Sequence, residues 1–233
     1  ISNLGNFECI IHCAALLDIT KKIYSWDEFF ETNVKIILRL TNEINYKKFI
    51  LISTGSIFSS DSKNVNPNSF YGLSKFIGEK LFEILQEKNN RQHFIFRLPI
   101  VIGSNSSNNF VDEFAKKMLK NKKIEIYGNG RIKRNIIQVQ DVAKLISKSC
   151  INKKYKRKFK IFNVGSSKSM NIIDIAILIK KLLNSNSNIT KVNKVRRFDL
   201  DSIINTKEIK KVFNFEPKST SYYIKKHILE KYL

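Results

Sequence analysis

Apolar positions along this chain switch between two periods. Four short runs are mostly apolar, and the first ends in small residues. They are FECIIHCAA (Phe7 to Ala15), KKFILIST (Lys47 to Thr54), HFIFRL (His93 to Leu98) and FKIFNVG (Phe159 to Gly165). Continuous runs of this length predict strands buried on both faces. Between them, apolar residues recur every three to four positions. That spacing predicts helices around Trp26 to Ile44, Phe70 to Lys88, Phe110 to Leu119, Asp141 to Ser149 and Met170 to Leu183. IEIYGNGR, from Ile124, predicts a short strand and a Gly-Asn-Gly turn, and NIIQV (Asn135 to Val139) a strand leading into the next helix.

Buried strands alternating with helices predict an α/β protein with a Rossmann-like, doubly wound parallel sheet. After Gly103 the chain is less regular and richer in Asn and Ser. That region predicts a smaller C-terminal lobe over the carboxyl edges of the strands, where such sheets bind ligands. The expected division is a dinucleotide-binding part over residues 1–103, with 136–164 returning to its sheet, and a mainly substrate-binding lobe over 104–233.

Composition narrows the class. With 233 residues and 42% hydrophobic content, the chain can bury a substantial core. It holds no apolar run of about 18 residues, so no membrane-spanning helix and no membrane partner are expected. Cys9, Cys13 and Cys150 form no disulfide framework and read as small buried hydrophobes, in keeping with a reducing, cytoplasmic setting. The net charge of +22 raises a nucleic-acid reading, densest at INKKYKRKFK with Tyr155 and Phe159 between the cations. The charge is spread over the whole chain rather than along one stripe. It equally favours a small anionic substrate, and nucleic acid is not the expected partner.

The candidate chemistry lies in FYGLSK. Tyr71 and Lys75 stand at i and i+4 and share one helix face. Seventeen residues earlier, the strand FILIS ends at Ser53-Thr54-Gly55-Ser56, at the ligand edge of a parallel sheet. A hydroxyl, a phenol and an ammonium thus converge. An ammonium about 4 Å from the phenol contributes roughly 4 kcal/mol at an effective dielectric near 20, enough to draw a phenol of pKa about 10 towards 7. A phenol tuned in this way can take a proton from an alcohol as hydride leaves its carbon. Tyr222 and Lys226 repeat the spacing with no strand edge upstream, and read as a solvated helix face. Asp141 reads as an N-cap, and His12, His93 and His227 show no partner in the sequence.

IIHCAA, Asn33 of ETNVKI, FILISTGSIF, YGLSK, FRLPIVIG, IYGNGRIKRN, VQDVA, IFNVG and FNFEPKS occur in this order. Together they resemble the extended short-chain dehydrogenase/reductases, the NAD-dependent epimerases and dehydratases of sugar nucleotides. The resemblance implies that Thr54 is the catalytic hydroxyl, Tyr71 the general base and Lys75 its partner, with Lys75 also on the nicotinamide ribose. It implies a cofactor lining of Ala14, Ala15, Asn33, Ser53, Pro99 and Ile100 beside Tyr71 and Lys75. Asn109 and Arg134 are implied to contact the substrate diphosphate together with Thr54 at the sugar. The implied cofactor is NAD or NADP, with NAD favoured. The implied partner is a nucleotide-diphosphate sugar, and a homodimer would form through the helix at Phe70 to Lys88.

Departures from that pattern matter too. The family's opening Gly-rich βα units have no match here, so the sequence resembles a member lacking them. Gly55 and Ser56 stand where the 4,6-dehydratases carry an acidic pair. Ile100 replaces the usual Asn, and Phe58 the usual Tyr. A 4-epimerase is the leading expectation, a 4-keto sugar-nucleotide reductase using NADPH the runner-up, and a non-catalytic relative the third.

Overall fold

The computed structural model describes residues 5–17, 23–58, 64–89, 91–106, 109–193 and 201–233. Along the chain run β1 (Asn6–His12), α1 (Trp26–Phe30), α2 (Ile36–Glu43), β2 (Asn45–Thr54), α3 (Phe70–Asn89), β3 (Gln92–Leu98) and β4 (Ile100–Ile102). There follow α4 (Phe110–Met118), β5 (Ile124–Tyr127), β6 (Lys133–Arg134), β7 (Ile136–Gln138), α5 (Val139–Ile151) and β8 (Phe159–Asn163). The last elements are β9 (Met170–Asn171), α6 (Ile172–Leu182), β10 (Ile189–Val192), α7 (Lys207–Phe213) and α8 (Thr220–Tyr232). The chain divides into two compact units. One takes the described parts of Ile1–Ser59, Lys63–Leu98 and Ile146–Val164, the other those of Pro99–Leu145 and Gly165–Leu233.

In the first unit, β1, β2, β3 and β8 form one parallel sheet in that order. Ile10 lies opposite Phe49, Phe49 opposite His93, and His93 opposite Phe159. On one face, Phe49, Leu51 and Ile95 bury against Ile37, Phe82 and Leu85 from the covering helices. On the other, Phe94, Phe96 and Phe162 meet edge to face at 5.5–5.6 Å. Tyr155 packs into this cluster, 5.7 Å from Phe94 and 5.9 Å from Phe162. Lys48 is buried on β2, and its ammonium donates to the carbonyls of Ser149, Cys150 and Asn152 at 2.6–3.2 Å. A cation on the unsatisfied carbonyls closing α5 satisfies both charge and hydrogen bonding.

Two expectations change. The pattern predicts a buried β1, yet much of it is exposed or half-buried, because it is an edge strand with one neighbour among the described residues. The expected helix from Trp26 to Ile44 is a single helical run widened by a π turn at Glu31–Lys35. Its start is set by a capping box, with Ser25 Oγ accepting from the Glu28 amide and the Glu28 carboxylate accepting from the Ser25 amide.

The cysteines also differ from expectation. Cys13 is exposed beyond β1, and Cys9 and Cys150 are half-buried free thiols. The Cys9 and Cys150 sulfurs lie 3.3 Å apart.

In the second unit the sheets are small. β4 pairs with β7 and β5 with β10, both in parallel, and β6 pairs with β9 antiparallel. Gly128 and Gly130 both take positive φ after β5, which forms the Gly-Asn-Gly turn. Asp112 on α4 is fully buried. Its carboxylate accepts from His227 Nε2 at 2.7 Å, Tyr232 at 2.7 Å, Asn109 at 2.7 Å and Ser106 at 3.0 Å. His227 therefore has a partner that no local pattern announced, and so does His93, which meets the Tyr46 hydroxyl at 2.9 Å. Asp141 lies within the first turn of α5 rather than capping it, and takes the Tyr223 hydroxyl at 2.6 Å.

Candidate active site

β2 ends on Thr54, where the chain folds into a single 3-10 turn, Gly55–Ile57. Thr54 is extended, and its Oγ1 accepts the Ser56 amide at 3.1 Å, so it caps that turn. Tyr71 occupies the first turn of α3, and the Thr54 side chain lies near enough to its phenol to lower its pKa. Gly72 makes this approach possible. A Cβ there would sit 2.7 Å from the Ser56 carbonyl oxygen and 3.3 Å from Pro67 Cβ. The Ser69 hydroxyl accepts the Gly72 amide at 3.1 Å and fixes the start of the helix.

Lys75 shares the Tyr71 face of α3, but its ammonium is drawn elsewhere. Its Nζ donates to the Ile52 carbonyl at 2.7 Å, and the residue is 4% exposed. Burial lowers the Lys75 pKa from 10.5 to about 8, with the Glu79 carboxylate and Cys13 working against that drop. Burial also raises Tyr71, with the Thr54 side chain opposing. The expected depression of the phenol by an adjacent ammonium is therefore not what this geometry produces. The strand carbonyl competes for the cation, and desolvation dominates at the phenol.

The residues expected to line a cofactor occupy several environments. Ala14 is exposed and Ala15 half-exposed, just beyond β1. Asn33 is buried in the π turn. Its Oδ1 accepts the Leu16 amide at 2.7 Å, while Nδ2 donates to the Leu16 carbonyl at 3.1 Å and to Ser74 Oγ at 3.0 Å. Its amide thus clamps the backbone that follows Ala14 and Ala15. Ser53 Oγ and His12 Nε2 are buried with no hydrogen-bond partner among the described residues. Burial first, then the charge on Lys75, lowers the His12 pKa to about 4, so the ring is neutral at pH 7. Pro99 and Ile100 fall in the second unit.

Also in the second unit, Asn109 is the N-cap of α4. Its Oδ1 accepts the Asp112 amide at 3.0 Å, and Nδ2 donates to Asp112 and Ser106. Arg134, on β6, lines a cavity of about 200 Å³ with Phe110, Phe114, Tyr127 and Lys117. Lys133 and Asn135, its neighbours in sequence, line a separate cavity of about 570 Å³ together with Lys168 and five serines. The repeat pair behaves as a surface pair. Tyr222 is 47% exposed, and Lys226 lies 3.6 Å from Glu230.

Residues 1–165 match the sequence profile of the NAD dependent epimerase/dehydratase family. The chain belongs to that family. A provisionally named UDP-glucose 4-epimerase from Methanocaldococcus jannaschii is 25% identical over 195 residues, covering 76% of this chain and 62% of that protein. A dTDP-D-glucose 4,6-dehydratase from Dictyostelium discoideum is 24% identical over 212 residues, covering 76% of this chain and 44% of its own length. The chain thus spans less than two thirds of either of these relatives. Among solved structures, the UDP-glucose 4-epimerase of Thermotoga maritima with UDP-glucose matches with a TM-score of 0.80 at 20% identity, over 95% of this chain and 76% of that one. The UDP-glucuronic acid 4-epimerase of Bacillus cereus, solved with UDP-glucuronic acid and NAD, gives 0.82 at 20% identity, over 94% and 74%. At this identity the likeness establishes the fold, a parallel α/β sheet of the family's Rossmann type.

One ion pair of this family member escaped the sequence pattern. Glu79, one turn beyond Lys75, pairs with Arg97 of β3 through contacts of 2.6, 3.1 and 3.1 Å, and Glu79 is 2% exposed. Charged residues inside FIGEK and HFIFRL were the available signal, since a charge in a buried run needs a partner. Asn33 was singled out by the sequence, but not its bonds to Leu16 and Ser74.

Proposed function

We propose that this chain acts as an NAD-dependent sugar-nucleotide 4-epimerase with Tyr71 as its base. The observation that carries this reading is the placing of Thr54, at the carboxyl edge of the parallel sheet, beside Tyr71, with a buried Lys75 one turn along the same helix.

Tyr71 takes the proton from the C4 hydroxyl of the sugar, and the Thr54 hydroxyl holds that oxygen in place. Lys75 is the cation of the site; its ammonium rests on the Ile52 carbonyl, and it would favour the phenolate, against the burial that disfavours it, on turning towards the phenol. Ser53 Oγ, buried with no hydrogen-bond partner among the described residues, suits with Tyr71 and Lys75 the polar nicotinamide-ribose end of a dinucleotide, and these residues would hold it. Bound NAD supplies reversible hydride transfer at C4. Arg134 suits a diphosphate for its forked donors, and the aromatic walls of its cavity suit a planar base. Without an acidic pair after Thr54, the site lacks the acid and base that elimination of water requires, which favours epimerisation over dehydration.

The test is incubation of the purified chain with NAD+ and UDP-glucose, or UDP-glucuronic acid, with products separated by chromatography. The expected result is the C4 epimer without added reductant, lost in Tyr71→Phe. Full turnover by Tyr71→Phe overturns the reading. Stoichiometric oxidation of NADPH by a 4-keto nucleotide sugar replaces it with a reductase.

A further inference from the structure

The proposed reaction asks Lys75 to carry a positive charge where burial works against one. Several groups face it. On its own helix stand Tyr71 and Glu79, on β1 His12 and beyond it Cys13, and on β2 the Ile52 carbonyl. Among these, Glu79 is the acidic side chain. It lies four residues beyond Lys75 and so on the same face of α3. A carboxylate that is 2% exposed needs a counter-ion of its own, and Arg97 provides one. Both guanidinium Nε and Nη2 donate to it, in the forked arrangement that fixes direction as well as distance.

Arg97 is itself fixed. It stands in register between Ser53 of β2 and Asn163 of β8, and the Phe58 ring lies 5.2 Å from its guanidinium carbon. Arg97 is anchored by strand register and Glu79 by Arg97. Lys75 stands one turn before Glu79 on α3, with its ammonium on the Ile52 carbonyl and the Glu79 charge favouring its protonated form.

We propose that Glu79 and Arg97 are positioning residues for Lys75, with the Arg97-held carboxylate fixing the place and charge of the Lys75 ammonium at the Tyr71 site. This rests on the reading of Lys75 as the partner of Tyr71. A purely structural ion pair joining α3 to β3 would change stability when broken but leave the Lys75 titration where it is. A positioning pair moves that titration.

The experiment follows the Lys75 side chain by its carbon-13 ε resonance across pH, assigned by its loss in Lys75→Arg. The wild-type midpoint is expected near pH 8. In Glu79→Gln, which keeps shape and a hydrogen-bond acceptor, it should fall by about one unit, the lower range for losing a nearby opposite charge. Glu79→Asp should restore most of that shift. Arg97→Lys, which keeps the charge but not the fork, should give an intermediate value. Unchanged midpoints in folded Glu79→Gln overturn the proposal. If that variant fails to fold, unchanged midpoints in both Glu79→Asp and Arg97→Lys overturn it equally. Failure of the functional reading looks different, because Tyr71→Phe would then keep full turnover while the Lys75 midpoints still moved.

Discussion

Asn33 Nδ2 donates to Ser74 Oγ across 3.0 Å, and Ser74 Oγ in turn donates to the Tyr71 carbonyl at 2.9 Å. The loop after β1, the π turn and the first turn of α3 are joined by this one chain of side-chain bonds. Asn33→Ala leaves the Leu16 amide and carbonyl without their partner, and should destabilise the protein by about 1–3 kcal/mol. Ser74→Ala, which removes one link, should cost less. Urea unfolding midpoints decide this, and equal midpoints for Asn33→Ala and wild type would contradict the clamp.

Thr54 caps Gly55–Ile57 with its hydroxyl and lies beside the Tyr71 phenol. Thr54→Val should lose about 10²-fold in turnover, in the range seen for one donor at a reacting oxygen, along with about 1 kcal/mol from the lost cap. Thr54→Ser should keep most of both. A Thr54→Val enzyme with turnover within twofold of wild type would remove Thr54 from the site.

Stability should fall in mild acid. Burial lowers the pKa of His12 and of His93 from 6.5 to about 4. Between those values the unfolded chain binds protons that the folded chain does not. The contribution is therefore fully present above about pH 6.5 and lost as pH falls towards 4. Urea midpoints measured from pH 7 to 4.5 should decline, and His12→Phe should flatten part of the decline. A level profile would refute the assignment.

The buried Asp112 carboxylate sets a second, more acidic window. Burial alone would raise its pKa, but bonds from His227, Tyr232 and Asn109 outweigh that and hold it near 2, against 3.8 for a free carboxyl. Its stabilisation is present above about pH 3.8 and lost as pH falls through 2. Asp112→Ala leaves His227 and Tyr232 buried without their acceptor, and should cost about 3 kcal/mol or more. Thermal melts at pH 7 test it, and a change below about 1 kcal/mol would argue against the hub.

Cys9 and Cys150, with sulfurs 3.3 Å apart, are placed to join. Exposure to oxidised glutathione should let two successive thiol–disulfide exchanges form one Cys9–Cys150 bond and release two reduced glutathiones. The reaction should be slow, because burial first and Cys150 second push the Cys9 thiol up to about 12. Peptide mapping should find the two linked and exposed Cys13 as a glutathione adduct. All three cysteines remaining alkylatable would contradict the geometry.

Local pattern carried a good deal of this protein. Period alone located the four strands that make the parallel sheet, since each is a continuous apolar run, although β1 proved to be an edge strand and largely exposed or half-buried. The place of Tyr71 and Lys75 on one helix face also followed from the sequence, because i and i+4 coincide on any α-helix. Gly72 was legible as a small residue, although the Ser56 carbonyl it makes room for was not.

Pairing between distant segments needed the folded chain. His227 and Asp112 are 115 residues apart, and Cys9 and Cys150 are 141 apart. Periodicity says which face of an element is apolar, but it is silent about which other face will meet it. The direction of Lys75 shows the same limit at short range. The sequence placed its Cα correctly beside Tyr71, but a long side chain goes where its charge is best satisfied. The Ile52 carbonyl and the Arg97-held Glu79 that decide this come from other parts of the fold.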